Sequence, residues 1–248
     1  MPSDIPLLLL GALVAGVVQG ISGFAFSMVA MSFWVWGLEP QLAAVLAVVG
    51  SLTGQLTAVG TARRRLDLHD LWPFLAGAGV GVPIGVAVLP LLGAEVFKLI
   101  LGGVLAVWCP VMLFSRRLPH TTVGGRWADA LAGAGGGFMG GLGGFTGVVP
   151  TLWCTLRGLD KDRQRAIVQN FNLATLAFTL AGYVASGAVS GRVLTLAPLL
   201  TAVVVPAAWL GTRLYRGMSA EVFRRFVLGL LSLAGLAMLA SALPRLLG

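Results

Sequence analysis

An all-α, polytopic membrane protein is the fold class that this sequence predicts. Three observations carry the prediction. Of 248 residues, 57% are hydrophobic and only 10% are charged, whereas a soluble domain carries about 25% charged residues. Apolar stretches repeatedly reach the ~20 residues needed to cross a bilayer's hydrocarbon core. Two of these stretches, near 5–36 and 128–157, are too long for one crossing and are interrupted by glycine.

Six single crossings are expected, near 40–60, 71–92, 95–114, 166–187, 193–213 and 222–243. They leave no room for a soluble domain. Met1 to Pro6 carries no basic residue before the apolar run, so a cleaved signal peptide is not expected. The net charge of +8 would suit nucleic acid in a polar chain. In so apolar a chain the loop arginines and lysines read as orientation signals, and no nucleic-acid partner is expected. Cys109 and Cys154 both lie in apolar segments, with no CxxC. They read as small buried hydrophobes, and neither a metal nor a cofactor is expected.

The chain repeats itself. A shift of 121 positions places Gly16, Gly20, Gly23 and Phe24 on Gly137, Gly141, Gly144 and Phe145. Gly37-Leu38-Glu39 falls on Gly158-Leu159-Asp160. With five more residues of offset, Ala94-Glu95-Val96-Phe97 meets Ala220-Glu221-Val222-Phe223. Two membrane repeats, 1–115 and 128–248, joined by a basic linker at 116–127, are the expected organisation. Paired halves with glycine-interrupted segments at matching places point to a transporter site.

Charge decides how the interrupted stretches run. If each crosses once, the 17 basic residues divide almost evenly between the two sides. If each is a re-entrant hairpin, with tips at Gln19–Gly23 and Gly140–Gly144, the division changes. Arg63 to Arg65, Arg116, Arg117, Arg126, Arg157, Lys161, Arg163, Arg165, Arg213, Arg216, Arg224 and Arg225 then share one face. Only Lys98, Arg192 and Arg245 lie opposite. That skew is what the positive-inside rule expects of a cytoplasmic face. Limbs at Ile5–Val18 and Phe24–Trp36 would each cover roughly 20 Å, short of a full crossing. One hairpin plus three crossings is an odd number, so the two repeats are inverted and both termini lie in the periplasm.

A turn inside a bilayer is tolerated only where its backbone is buried in protein or lines a wet cavity. New helices are expected to begin near Phe24 and near Phe145, with their first N–H groups unpaired. Together with the positive end of the helix dipole these make an anion site. The candidate substrate-binding residues are Gln19, Gly20, Ser22, Gly23, Phe24 and Ser27 in the first repeat. In the second they are Gly141, Gly143, Gly144, Phe145 and Thr146, with Thr151 close by. Gln169 and Asn172 share a helix face in an apolar crossing and complete the set. Each has a competing reading: close helix packing for the glycines, bonds to their own backbone for the hydroxyls, interhelical bonds for Gln169 and Asn172. No ionisable residue falls at the expected midplane, so recognition by dipoles and neutral donors is expected.

The segment Gly16-Val17-Val18-Gln19-Gly20-Ile21-Ser22-Gly23-Phe24 resembles the opening motif of the TauE/SafE sulfite exporter family. Its later copy, Gly140-Gly141-Leu142-Gly143-Gly144-Phe145-Thr146-Gly147, resembles it too. The resemblance extends over nearly the whole chain. It implies a multi-pass permease of the bacterial inner membrane that exports sulfite, sulfoacetate or a related organosulfur anion. The expected partners are that small anion and membrane lipid, and a homo-oligomer is compatible with both. The alternatives are an anion channel constricted at the tips, or an exporter of another small oxyanion or a carboxylate. No catalytic constellation lies in the apolar region, so an enzyme is not expected.

Overall fold

The computed structural model describes residues 4–59, 68–114, 121, 124–214 and 220–247. Most of the expected linker at 116–127 lies outside them, as do Arg63 to Arg65, Arg116, Arg117 and Arg216. Among the described residues ten α-helices follow one another: α1 (Asp4–Ser22), α2 (Phe26–Trp34), α3 (Pro40–Val59), α4 (Leu68–Val88), α5 (Ala94–Leu113), α6 (Gly125–Gly143), α7 (Val148–Leu156), α8 (Lys161–Ala185), α9 (Gly191–Leu214) and α10 (Ala220–Leu247). All six expected single crossings are helices here. Seven of the described helices are long and apolar enough to cross a membrane, the seventh being Ile5–Ser22 in α1. Large apolar side chains such as Leu13, Val80, Leu131, Leu194 and Leu233 are exposed. In water such a surface would drive aggregation; in lipid it is the proper outer face. Trp72 and Trp127, near the starts of α4 and α6, are also exposed and suit the interfacial belt that tryptophan favours.

The order long helix, nine-residue helix, three long helices occurs twice. Shifting α1 by 121 residues gives the bounds of α6, and α2 and α7 each have nine residues. The packing repeats as well. In one half a Cβ at Gly20 would lie 2.8 Å from the Cα of Gly211, on α9. In the other, a Cβ at Gly85, on α4, would lie 2.9 Å from the Cα of Gly141. Only glycine lets backbones come so close, and small-residue crossings of this kind are common between membrane helices. Equivalent helices α5 and α10 run in opposite directions where they touch. Gly102 approaches Met238 and Leu239, whereas Ala106, one turn further on, approaches Gly235.

Each short helix folds back along the long one before it. The indole of Trp34, at the end of α2, donates to the Leu8 carbonyl at 3.1 Å. In the second half Trp153 of α7 donates to Asp129 Oδ1 at 2.7 Å. Positions 8 and 129 are 121 residues apart, so the two ties fall at the same place on the long helices, although Trp34 and Trp153 are not themselves counterparts. Arg157, just past α7, donates from its Nη1 to both carboxylate oxygens of Asp129, at 2.8 and 2.9 Å. Arg163 of α8 likewise grips Asp70 of α4 at 2.5 and 2.7 Å. The starts of α4, α6 and α8 and the end of α7 thus share one end of the bundle. At the other end Lys98, near the start of α5, sits 5.1 Å from the ring centre of Trp36.

Limb lengths differ from expectation. The first limb is 19 residues, not 13–14, and the second is nine. At 1.5 Å per residue α1 reaches about 28 Å, long enough to cross. Gly16 and Gly20 lie within α1 because they serve the crossing with α9 and not a turn.

Asp129 is buried, with 7% of its side chain accessible, while Arg157 is 34% accessible. Arg157→Ala leaves a buried carboxylate with one indole donor and should cost about 2 kcal/mol, below the full cost of a wholly buried pair. Thermal unfolding in detergent measures it; an unchanged melting temperature would show that the pair contributes nothing.

Candidate functional site

Both helix breaks fall where the glycine clusters placed them. Gly23 has φ +84° and Gly144 φ +80°, a left-handed backbone that ends a helix at low cost only for glycine. Their amides make the same bond, Gly23 to the Gln19 carbonyl and Gly144 to the Gly140 carbonyl, each 2.7 Å. The next helices begin at Phe26 and Val148, two and three residues later than expected.

The first break does not present bare peptide nitrogens. Ser22 Oγ accepts from the amides of Phe24 and Ala25 at 3.5 and 3.3 Å, and Gln19 Oε1 accepts from Phe26 at 3.0 Å. Ser22 and the Oε1 of Gln19 therefore cap the start of α2, which leaves the Gln19 amide nitrogen uncommitted. At α7 no side chain makes the cap, because Gly147 holds that position.

The two breaks meet. A Cβ at Gly144 would lie 2.5 Å from Ser27 Oγ and 3.2 Å from Val48, and one at Gly147 would lie 3.4 Å from Phe24. Gly143 abuts Met31 and Phe145, and Phe145 is buried. Phe24 packs edge-on against Trp108. Around this junction α3 and α8 supply polar groups at matched positions. Ser27 and Ser51 share a hydrogen bond of 2.7 Å. Thr146 donates to Asn172 Oδ1 at 2.9 Å, and Asn172 lies 121 residues after Ser51. Gln169 Nε2 would be 3.2 Å from a Cβ on Gly23, just as Val48, its counterpart, faces Gly144. One side of this mirrored pair is polar and the other apolar, so the site is lopsided.

Of the candidates, Gln19, Gly23, Phe24, Ser27, Gly143, Gly144, Phe145, Thr146, Gln169 and Asn172 are brought together. Ser22 caps the first break. Gly20 and Gly141 turn toward α9 and α4, at the helix crossings. Sequence reasoning missed Gln55, whose Nε2 donates to the Gly23 carbonyl at 2.7 Å. It also missed Thr175 and Thr179, buried on α8. The signals were present: Gln55 is one turn from Ser51, and Asn172, Thr175 and Thr179 follow helical spacing.

The cluster is buried and neutral. Gln19, Ser27, Ser51, Gln55, Thr146, Asn172, Thr175 and Thr179 are each 4% accessible or less. Among the described residues Gln19 Nε2 and the hydroxyls of Thr151, Thr175 and Thr179 have no hydrogen-bond partner, and each such buried donor costs on the order of 1–3 kcal/mol. Asn172→Ala would remove the acceptor that orients Thr146. It should raise the substrate concentration for half-maximal transport about tenfold, the worth of one buried hydrogen bond. Transport into proteoliposomes measures this, and an unchanged value would reduce Asn172 to a packing residue.

Comparison with known proteins agrees with this architecture. The model of the family "Sulfite exporter TauE/SafE" matches residues 8–238. No curated protein and no solved structure gave a match. A match over nearly the whole chain, on an all-helical bundle with seven membrane-length helices, establishes that the chain belongs to the TauE/SafE sulfite exporter family and is a multi-pass membrane transporter.

Proposed function

We propose that the protein exports a singly charged sulfur oxyanion, either sulfite in its protonated form or an organosulfonate, held where the two helix breaks meet. The observation that carries this reading is the buried neutral polar cluster at Gly23 and Gly144. An anion bound there meets amide and hydroxyl donors and lies near the start of α7, whose dipole favours negative charge. Among the described residues it meets no cation. The cost of taking a charge out of water rises with its square, so a dianion costs about four times as much as a monoanion. Hydrogensulfite and simple sulfonates therefore suit the cluster better than sulfate, and sulfoacetate, with its added carboxylate, ranks below them.

In this reading the fold-back pairs are re-entrant hairpins dipping from opposite faces of a bacterial inner membrane. The antiparallel contact of α5 with α10 supports inversion of the repeats, and Arg157, Arg163 and Arg165 at one end of the bundle support reading that end as cytoplasmic. An inside-negative potential drives an anion outward with about 2.3 kcal/mol per charge per 100 mV. Export then needs no ionisable carrier residue, and a change in the substrate's own protonation can add to the drive.

The test is a thermal-shift panel on purified protein with sulfite, methanesulfonate, sulfoacetate, sulfate and acetate, repeated across pH. Sulfite should stabilise more as pH falls and it gains a proton, and methanesulfonate should stabilise independently of pH. Stabilisation by acetate alone, or equal stabilisation by sulfate, would overturn the reading.

A further inference from the structure

We propose that Thr175 and Thr179 are the donors that hold the anion; the assignment rests on the transport reading above. A threonine inside a helix usually bonds back to the carbonyl one turn earlier. Thr53, Thr57 and Thr155 do so at 2.8–2.9 Å. Thr175 and Thr179 do not, although they are 1% and 0% accessible and their hydroxyls have no partner among the described residues. Their neighbours on the same face of α8 are committed to the second break. Asn172 accepts from Thr146 at 2.9 Å, and Tyr183 donates to the Gly141 carbonyl at 2.8 Å. Among the described residues the two middle hydroxyls of this face are left over; a Cβ on Gly140 would lie 3.5 Å from Thr179 Oγ1 and 3.5 Å from the Thr175 methyl.

The repeat places Gln19 at the matching position beside the first break. Gln19 lies against Gly54, and a shift of 121 residues carries this pair onto Gly140 and Thr175. At each of the two mirrored contacts one partner is glycine and the other bears a buried polar atom without a partner. The fold thus keeps an unused donor beside each break, an amide on one side and hydroxyls on the other. Left unpaired, such donors weaken a folded protein, and a ligand carrying several acceptor oxygens would use them. A sulfonate head group or hydrogensulfite has that chemistry; a monatomic anion has not.

Thr175→Val and Thr179→Val remove the hydroxyl and keep the shape. With methanesulfonate and sulfite as probes, the concentration giving half of the maximal thermal shift should rise at least about tenfold in each variant. The melting temperature without anion should stay the same or rise, because an unpaired hydroxyl contributes nothing to the fold. Thr53→Val, which removes a hydroxyl bonded to its own helix, should keep the wild-type concentration. Valine variants that respond as the wild type does would overturn the assignment and leave the transport reading standing. So would variants whose anion-free melting temperature falls, since that marks a structural role. A wild type insensitive to both probes would overturn the transport reading and this assignment with it.

Discussion

Replacing Gly144 with valine should abolish anion export while leaving the protein in the membrane. Two effects act together. The backbone at Gly144 has φ +80°, where a β-branched residue is strained by on the order of 1–3 kcal/mol. A side chain would also point at Ser27 Oγ, 2.5 Å from its Cβ. The second break would have to retreat from the first, and displacement of a binding group by about 1 Å commonly costs 100-fold in rate. Insertion should survive, because the apolar lengths of the crossings are untouched. Efflux from cells, read beside the amount of protein in the membrane fraction, separates the two. Gly144→Ala with Ser27→Gly should recover a small part of the flux, since it relieves the 2.5 Å clash but keeps the strain and the 3.2 Å contact with Val48 and removes the bond of Ser27 to Ser51. Wild-type efflux in the valine variant would remove the break from the mechanism.

The largest effect on folding is expected at the crossing of α4 with α6. A Cβ on Gly77 would lie 1.8 Å from the Ala130 carbonyl oxygen and 2.6 Å from the Ala134 nitrogen. Both are backbone atoms and cannot step aside. Gly77→Leu must therefore push α4 and α6 away from each other along their length, and a loss of more than about 4 kcal/mol follows. Gly79 is the control. Two residues along the same helix, it has open space within 4 Å of where a Cβ would stand, so Gly79→Leu should fold and be recovered at wild-type yield. Size-exclusion profiles and yields of the two variants measure the contrast. Equal recovery of Gly77→Leu would show that the close crossing is not needed.

The same glycines show what the sequence could and could not say. Crossings such as 95–114 were legible because length and apolarity alone define them, and α5 at Ala94–Leu113 agrees within a residue at each end. The breaks at Gly23 and Gly144 were legible because the two clusters lie in register 121 residues apart. The lengths of the limbs were not. Gly16, Gly20 and Gly23 read alike in sequence, yet the first two lie inside α1 at a crossing with α9 and only the third turns the chain. Which glycine bends and which packs depends on a partner helix nearly 190 residues away. The capping of the first break by Ser22 and Gln19 was hidden for the same reason. Both residues were recognised as polar groups beside a turn, but whether they face a ligand or the chain's own amides is decided by where the helix starts. Thr175 and Thr179 were passed over because a lone threonine in a membrane helix normally bonds its own backbone. Only the structure distinguishes them from Thr53.

Transport at the meeting of the breaks requires each short helix to return to the side its long partner came from, with the two pairs entering from opposite faces. Site-directed labelling with a membrane-impermeant thiol reagent tests this, in a background where the buried Cys109 and Cys154 are replaced by alanine. The positions are Ile5→Cys and Glu39→Cys, flanking the first pair, and Trp127→Cys and Arg165→Cys, flanking the second; all four are exposed. The first two should label in intact cells from the periplasm, and the last two only in inverted vesicles. Labelling of Ile5→Cys and Glu39→Cys from different sides would contradict the re-entrant arrangement.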